Sequence, residues 1–210
     1  MILKICGITN QEDATAAVEG GANAIGFNFY PPSPRYVAPE RAAEIGTPAG
    51  VRRVGVFVNE TRERVEEVAR MAALGVAQLH GDETPAEYPA GLAVWKAARV
   101  TADFDLSQYD GCPAEALLLD GPAAEMYGGS GKSFDWSLAG KEKTKKADQE
   151  VRSTKIILAG GLDASNVAQA IALARPWGVD GCSRIESAPG KKDLKKMRAF
   201  LEAARAALGA

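Results

Sequence analysis

The 210-residue sequence holds one histidine, His80, and three cysteines, Cys6, Cys112 and Cys182. A single imidazole argues against a multi-histidine zinc site and leaves few ways to build a Ser-His-Asp triad. The cysteines are an odd, sparse set without metal-ligand spacing. That usage suits a reduced compartment, so a cytoplasmic location is expected. No apolar run reaches the roughly 18 residues that a membrane span requires. The first residues read as a strand starting at residue 2, not as a basic stretch followed by an apolar signal core. Lysine and arginine number 25 against 27 aspartates and glutamates, a net charge of −2. This balance gives no electrostatic case for nucleic acid or an anionic membrane as partner. Low-complexity linkers and exact repeats are also absent.

What is present is an alternation of strand-like and helix-like segments. Hydrophobic residues make up 46% of the chain, enough for one sizeable core and short for two domains, so residues 1–210 are expected to form a single domain. Apolar runs of strand length fall at 2–6, 24–29, 51–58, 76–80, 92–97, 116–120, 155–159 and 179–183. Between them, helical spacing or capping residues mark 11–19, 39–45, 62–74, 136 to about 150, the stretch to 174 begun by Asp163 or Ser165, and 194–208. Asp82–Thr84 is expected to start a helix after the fourth strand. The polar, broken stretch 101–113 leaves the fifth crossover with little helix. Eight strand–crossover units in this length fit a minimal (β/α)8 TIM barrel of the α/β class. An open doubly wound sheet is the alternative, but no G-x-G-x-x-G follows the first strand.

In a barrel the site lies at the C-terminal ends of the strands. The polar residues there are Cys6, Asn28, Asn59, His80, Lys96, Asp120, Gly160-Gly161 and Ser183. Cys6 closes the first strand just before Gly7, and Asp120 closes the sixth just before Gly121. A buried cysteine is often only a small hydrophobe, but a thiol at a strand end, with its pKa lowered, can remove a carbon-bound proton near neutrality. An aspartate there is either a solvated turn cap or, with its pKa raised by burial, a proton donor. Three glycine-bearing elements cluster towards the last strands: Gly128-Gly129-Ser130-Gly131-Lys132-Ser133, Gly160-Gly161, and Gly181-Cys182-Ser183-Arg184. Each alone reads as a tight turn; together, through Gly129, Gly131, Gly160, Gly161, Ser183 and Arg184, they favour a phosphate cradle. The first lacks the spacing of a Walker loop. The proline-stiffened Ser33-Pro34-Arg35-Tyr36-Val37 presents one arginine, either a surface charge or a fork for a carboxylate. His80 is most simply a hydrogen-bonded strand-end histidine. The run 141–146 is a solvated helix face, and Cys112 lies in a loop with no partner in view.

Lys4-Ile5-Cys6-Gly7-Ile8-Thr9, Ser33-Pro34-Arg35-Tyr36-Val37, Gln78-Leu79-His80-Gly81-Asp82-Glu83, Leu119-Asp120, Gly128 to Trp136 and Ala159-Gly160-Gly161-Leu162 together resemble the phosphoribosylanthranilate isomerases of tryptophan biosynthesis. The resemblance runs in order over residues 3 to about 200. It implies a cofactor-free and metal-free Amadori rearrangement of N-(5′-phosphoribosyl)anthranilate, a small phosphorylated substrate. By that resemblance Asp120 protonates the furanose oxygen, Cys6 removes the C2′ proton, and Arg35 holds the anthranilate carboxylate, while His80 and the glycine elements contact substrate. One place departs from the pattern: Arg184 stands where the family has glycine, and either obstructs the phosphate or, the favoured expectation, pairs with it. Related histidine-pathway barrels carry aspartates at both acid and base positions, so Cys6 weighs against them. Retention of both Cys6 and Asp120 weighs against a non-catalytic, ligand-binding barrel. The expected assembly is a monomer or a homodimer.

Overall fold

Strand β1 (Ile2–Cys6) is buried along its whole length, Lys4 included. It opens a parallel barrel continued in sequence order by β2 (Ala24–Asn28), β3 (Arg52–Phe57), β4 (Val76–Leu79), β5 (Ala93–Arg99), β6 (Ala116–Asp120), β7 (Lys155–Leu158) and β8 (Gly178–Gly181). Strand β8 closes the barrel on β1, with Lys4 opposite Asp180 and Ile5 opposite Gly181. The computed structural model describes residues 1–121, 134–140 and 155–208.

Successive side chains of a strand point to opposite faces, which sorts the apolar residues into two layers. Ile2, Ala24, Val54, Val76, Trp95, Leu118 and Ile157, drawn from β1 to β7, form one cluster that fills the lumen. Leu3, Ile5, Phe27, Leu117 and Leu119 belong to the outer layer, which packs against the helices. Residues of lumen parity at the strand ends therefore face the site: Cys6 follows Ile2 and Lys4, and Asp120 follows Ala116 and Leu118.

Local sequence explains the helices. Asn10 caps α1 (Gln11–Glu19) by accepting from the Asp13 N–H, and Thr61 caps α3 (Arg62–Met71) by accepting from the Arg64 N–H. Pro39 opens α2 (Pro39–Glu44), where its missing N–H costs nothing. The described part of the sixth crossover contains α4 (Ser137–Gly140); the remainder of the helix expected to about residue 150, with the run 141–146, lies outside the described residues. Helices α5 (Val167–Ala174) and α6 (Leu194–Leu208) complete the outer ring.

Three expectations are corrected and one element is added. The fourth crossover carries only a 3₁₀ turn, Pro85–Glu87, because Glu83 is drawn inward to Lys96 (2.9 Å) and Thr84 caps a single turn with Glu87. Asp163 does not cap α5; it folds a turn by accepting from Ser165, and Asn166 takes the cap position. The chain after β8 adds a hairpin, β9 (Glu186–Ala188) and β10 (Lys191–Lys192), that sequence spacing did not suggest. Cys112 has a neighbour, the Tyr88 hydroxyl at 3.4 Å. The fifth crossover does lack a full helix, holding only the 3₁₀ turn Leu106–Tyr109.

Candidate active site

Cys6 sits at the C-terminal end of β1 in a buried ionic setting. Beneath it, Lys4 Nζ donates to Asp180 Oδ2 at 2.6 Å, with the Lys4 side chain fully shielded from solvent. The β1–β8 register that makes this pair also sets Cys182, one residue past β8, beside Cys6. The Cys182 thiol hydrogen-bonds to Cys6 and holds its pKa well below the ordinary thiol value; the nearby charges of Lys4 and Lys192 act the same way and burial opposes them. The Cys182 pKa is pushed up in return, by that hydrogen bond and by burial. A buried thiol stabilised as thiolate is a base suited to a carbon acid.

Asp120 closes β6 and is likewise buried. His80 Nε2 lies 3.5 Å from Asp120 Oδ2, while Gln78 Nε2 is 3.1 Å from His80 Nδ1. The backbone next to it admits only glycine: Gly160 has φ +75°, and a Cβ there would come 2.9 Å from Asp120 Oδ1 and run into the Gly121 nitrogen. Asp120, Gly160, Gly161, Ser183 and Arg184 line one pocket together with Ala159, Leu162, Cys182 and Asp180. Its far wall is the 3₁₀ turn Ser183–Ile185 directly after β8, the place where barrels commonly bind phosphate.

Asp180 is the residue that the sequence did not single out. Burial pushes its carboxyl up to about 7 even though Lys4 pulls the other way. Its Oδ2 holds Lys4, whereas Oδ1 is buried with no hydrogen-bond partner among the described residues. An unsatisfied acceptor lining a pocket costs free energy unless a ligand meets it.

Arg35 lies over the turn that follows Cys6. Gly7 there has φ +74°, and a Cβ would approach Arg35 Cδ to 2.8 Å and Cys182 Sγ to 3.5 Å. The arginine is no open fork. Its Nε and Nη2 both donate to Glu186, at 3.0 and 2.8 Å. Arg184 also has a protein partner, its Nη1 donating to Asp163 Oδ2 at 2.8 Å across the loops after β7 and β8.

This constellation coincides with a strong likeness to known proteins. The family model for N-(5′-phosphoribosyl)anthranilate (PRA) isomerase matches residues 3–203. The chain belongs to the PRA isomerase family. A protein of Solibacter usitatus (strain Ellin6076) called N-(5′-phosphoribosyl)anthranilate isomerase is 68% identical over 210 residues, covering 100% of both chains. A solved PRA isomerase in complex with reduced 1-(o-carboxyphenylamino)-1-deoxyribulose 5-phosphate superposes with TM-score 0.82 at 38% identity, covering 98% of this chain and 100% of that one. Monomers generated from the dimeric enzyme of Thermotoga maritima match with TM-score 0.82, 38% identity and the same coverage.

Of the PRA isomerase residues expected from sequence, Cys6, Asp120, His80, Gly160, Gly161, Ser183 and Arg184 gather at one end of the barrel, and Arg35 reaches the same end beside Cys6. Gly129 and Gly131 lie outside the described residues. Among the described residues, no group of three or more His, Cys, Asp or Glu side chains could hold a metal ion, and no helix is long and apolar enough to cross a membrane.

Proposed function

We propose that Cys6 and Asp120 carry the reaction of this family in the chain, the Amadori rearrangement of N-(5′-phosphoribosyl)anthranilate to 1-(2-carboxyphenylamino)-1-deoxyribulose 5-phosphate in tryptophan biosynthesis. Asp120 gives a proton to the furanose oxygen, the C1′–O bond breaks, and the anilinic nitrogen takes up the electron deficiency as a Schiff base. The Cys6 thiolate then removes the C2′ proton, the electron pair moves towards nitrogen, and the resulting enolamine tautomerises to the ketone. The observation that supports this reading best is the buried Cys6 at one strand end, above Lys4, and the buried Asp120 at another, both of lumen parity. Acid and base each contribute about 10²–10⁴-fold in such reactions; positioning supplies much of the rest.

The 5′-phosphate is assigned to the pocket of Gly160, Gly161, Ser183 and Arg184, with Gly129 and Gly131 as further cradle residues; the anthranilate carboxylate is assigned to Arg35, and His80 flanks the ring-opening end. Arg184 would trade Asp163 for phosphate, so Arg184→Gly should raise KM; an unchanged or lower KM sinks that pairing. Asp180 Oδ1 is offered to a ribose hydroxyl. The chain is read as one barrel domain, cytoplasmic, acting as a monomer or homodimer.

The test is single-turnover fluorescence decay of freshly made substrate with EDTA present, comparing the wild type with Cys6→Ser and Asp120→Asn. Each variant should lose at least about 10²-fold in rate with circular dichroism unchanged. A Cys6→Ser protein that keeps most of its rate would put the base elsewhere.

A further inference from the structure

The hairpin β9–β10 brings an ionic cluster up behind Arg35. Glu186 takes the arginine along one edge: Nε donates to Oε1 and Oε2 at 3.0 and 3.2 Å, and Nη2 donates to Oε2 at 2.8 Å. A second cation shares that carboxylate, Lys192 Nζ donating to Oε1 at 2.9 Å with its side chain fully buried. The hairpin is also fastened to the Arg35 loop. Thr9 Oγ1 donates to the Gly190 carbonyl at 2.6 Å, and Gly190 packs so close to Pro34 that an added Cβ would sit 3.2 Å from its carbonyl oxygen. Asp13 accepts from the backbone N–H of Lys192 and the side chain of Asn10.

One feature of this cluster bears on an anion. The half-buried Arg35 shares the Glu186 carboxylate with the buried Lys192, whose charge also acts on Cys6. A guanidinium has two donor edges that match a carboxylate. Glu186 occupies the Nε/Nη2 edge, so the Nη1/Nη2 edge is the one left to a ligand.

We propose that Glu186 is a positioning residue for the reaction: by fixing the Nε/Nη2 edge it presents the Nη1/Nη2 edge of Arg35 to the anthranilate carboxylate. The inference rests on the reading of Arg35 as the partner of that carboxylate. It makes Glu186 matter only to substrates that carry the carboxylate.

The experiment compares steady-state KM and kcat for two substrates, N-(5′-phosphoribosyl)anthranilate and the analogue prepared from aniline, which lacks the carboxylate. In the wild type the carboxylated substrate should have the lower KM. Glu186→Gln should raise KM for it about tenfold, with kcat little changed and KM for the aniline analogue unmoved. Glu186→Asp keeps the charge against Lys192 but withdraws it by one methylene. It should show a smaller rise, and it carries the same test if Glu186→Gln does not fold. Arg35→Gln serves as the reference. If Arg35→Gln abolishes the preference for the carboxylated substrate while both Glu186 variants keep it, or raise both KM values equally, the positioning role is overturned and the reading of Arg35 stands. If Arg35→Gln leaves the preference intact, the reading of Arg35 fails and takes the role of Glu186 with it.

Discussion

The two ends of the barrel use the same kinds of group to opposite effect. At the N-terminal ends of the strands, Glu115 accepts from Trp95 Nε1 at 3.0 Å and pairs with Arg52 and Lys155, each at 3.1 Å. Arg52 and Lys155 also lie against the ring of Trp177, at 5.7 and 4.5 Å, and Trp177 meets Trp95 edge-on. All three ionic side chains there are partly solvated, between 25% and 44% exposed. At the C-terminal ends, the Lys4–Asp180, Lys192–Glu186 and Arg35–Glu186 pairs are nearly or fully buried, and one carboxylate oxygen, Asp180 Oδ1, has no partner among the described residues. The first end is paired and wet, which suits a rim that holds strands together. The second is dry and carries unmet demand, which suits a site that waits for a charged molecule. Burial and incomplete satisfaction, not the presence of charge, mark the functional end.

The sharpest way to press this contrast is Lys4→Met. Removing one partner of a buried ion pair costs roughly 3–5 kcal/mol, so a large fall in melting temperature is expected. The loss should depend on pH in a defined direction. Asp180 has a folded-state pKa of about 7, above its unfolded value, so its stabilising contribution is complete below the unfolded pKa and is lost as pH rises through about 7. Without Lys4 the Asp180 pKa rises further, and the variant should lose more stability between pH 6 and pH 8 than the wild type does, read by thermal melts at both values. Equal losses would mean that the two groups do not share their charge as described.

Gly160→Ala comes next, at roughly 1–3 kcal/mol, because alanine must adopt a positive φ and press on Asp120. A fall in kcat beyond what the loss of folded protein explains is expected, since Asp120 would be displaced; a rate per folded molecule equal to wild type would show that Gly160 does not set the position of Asp120.

A smaller effect should appear at Cys182. Replacing it by alanine removes the hydrogen bond to the Cys6 thiolate, so the acid limb of the kcat/KM–pH profile should move to higher pH. Cys182→Ser keeps a donor and should move the limb less. A limb that stays put in Cys182→Ala would show that Lys4 and Lys192 suffice to hold the thiolate. The smallest effect belongs to the other end of the barrel: Glu115→Gln should cost about 1 kcal/mol in stability, read by urea titration, with kcat and KM as in wild type. A kinetic defect there would break the division between the two ends.

Much of this was legible in the sequence because parallel barrel strands are buried on both faces and read as continuous apolar runs. The bounds of β6 and the strand-end positions of Cys6 and Asp120 followed directly. The fourth crossover was not legible, since Asp82-Glu83-Thr84 has the composition of a helix start and only the reach of Lys96 decides otherwise. Lys4 and Asp180 were missed for a related reason. A charge inside an apolar run reads as a blemish until barrel closure puts residue 4 opposite residue 180. A signal did exist: each stands two residues before a site cysteine, on the same strand face. Arg35 was legible as a candidate fork for a carboxylate but not as an arginine already engaged with Glu186, because β9–β10 is too short to announce itself.

The Lys4–Asp180 pair spans 176 residues of chain. During synthesis the first strand emerges long before the last, and its ammonium stays hydrated until residue 180 is available. Long-range pairings of this kind form late, after local structure has condensed. Lys4, which tethers β1 to β8 through Asp180, also lowers the pKa of Cys6, and Cys182 arrives with the same final strand. On the ribosome, then, Cys6 is an ordinary thiol for most of the chain's elongation. The lowering of its pKa is complete only when the last strand docks, so closure of the barrel and the tuning of this sulfur are one event.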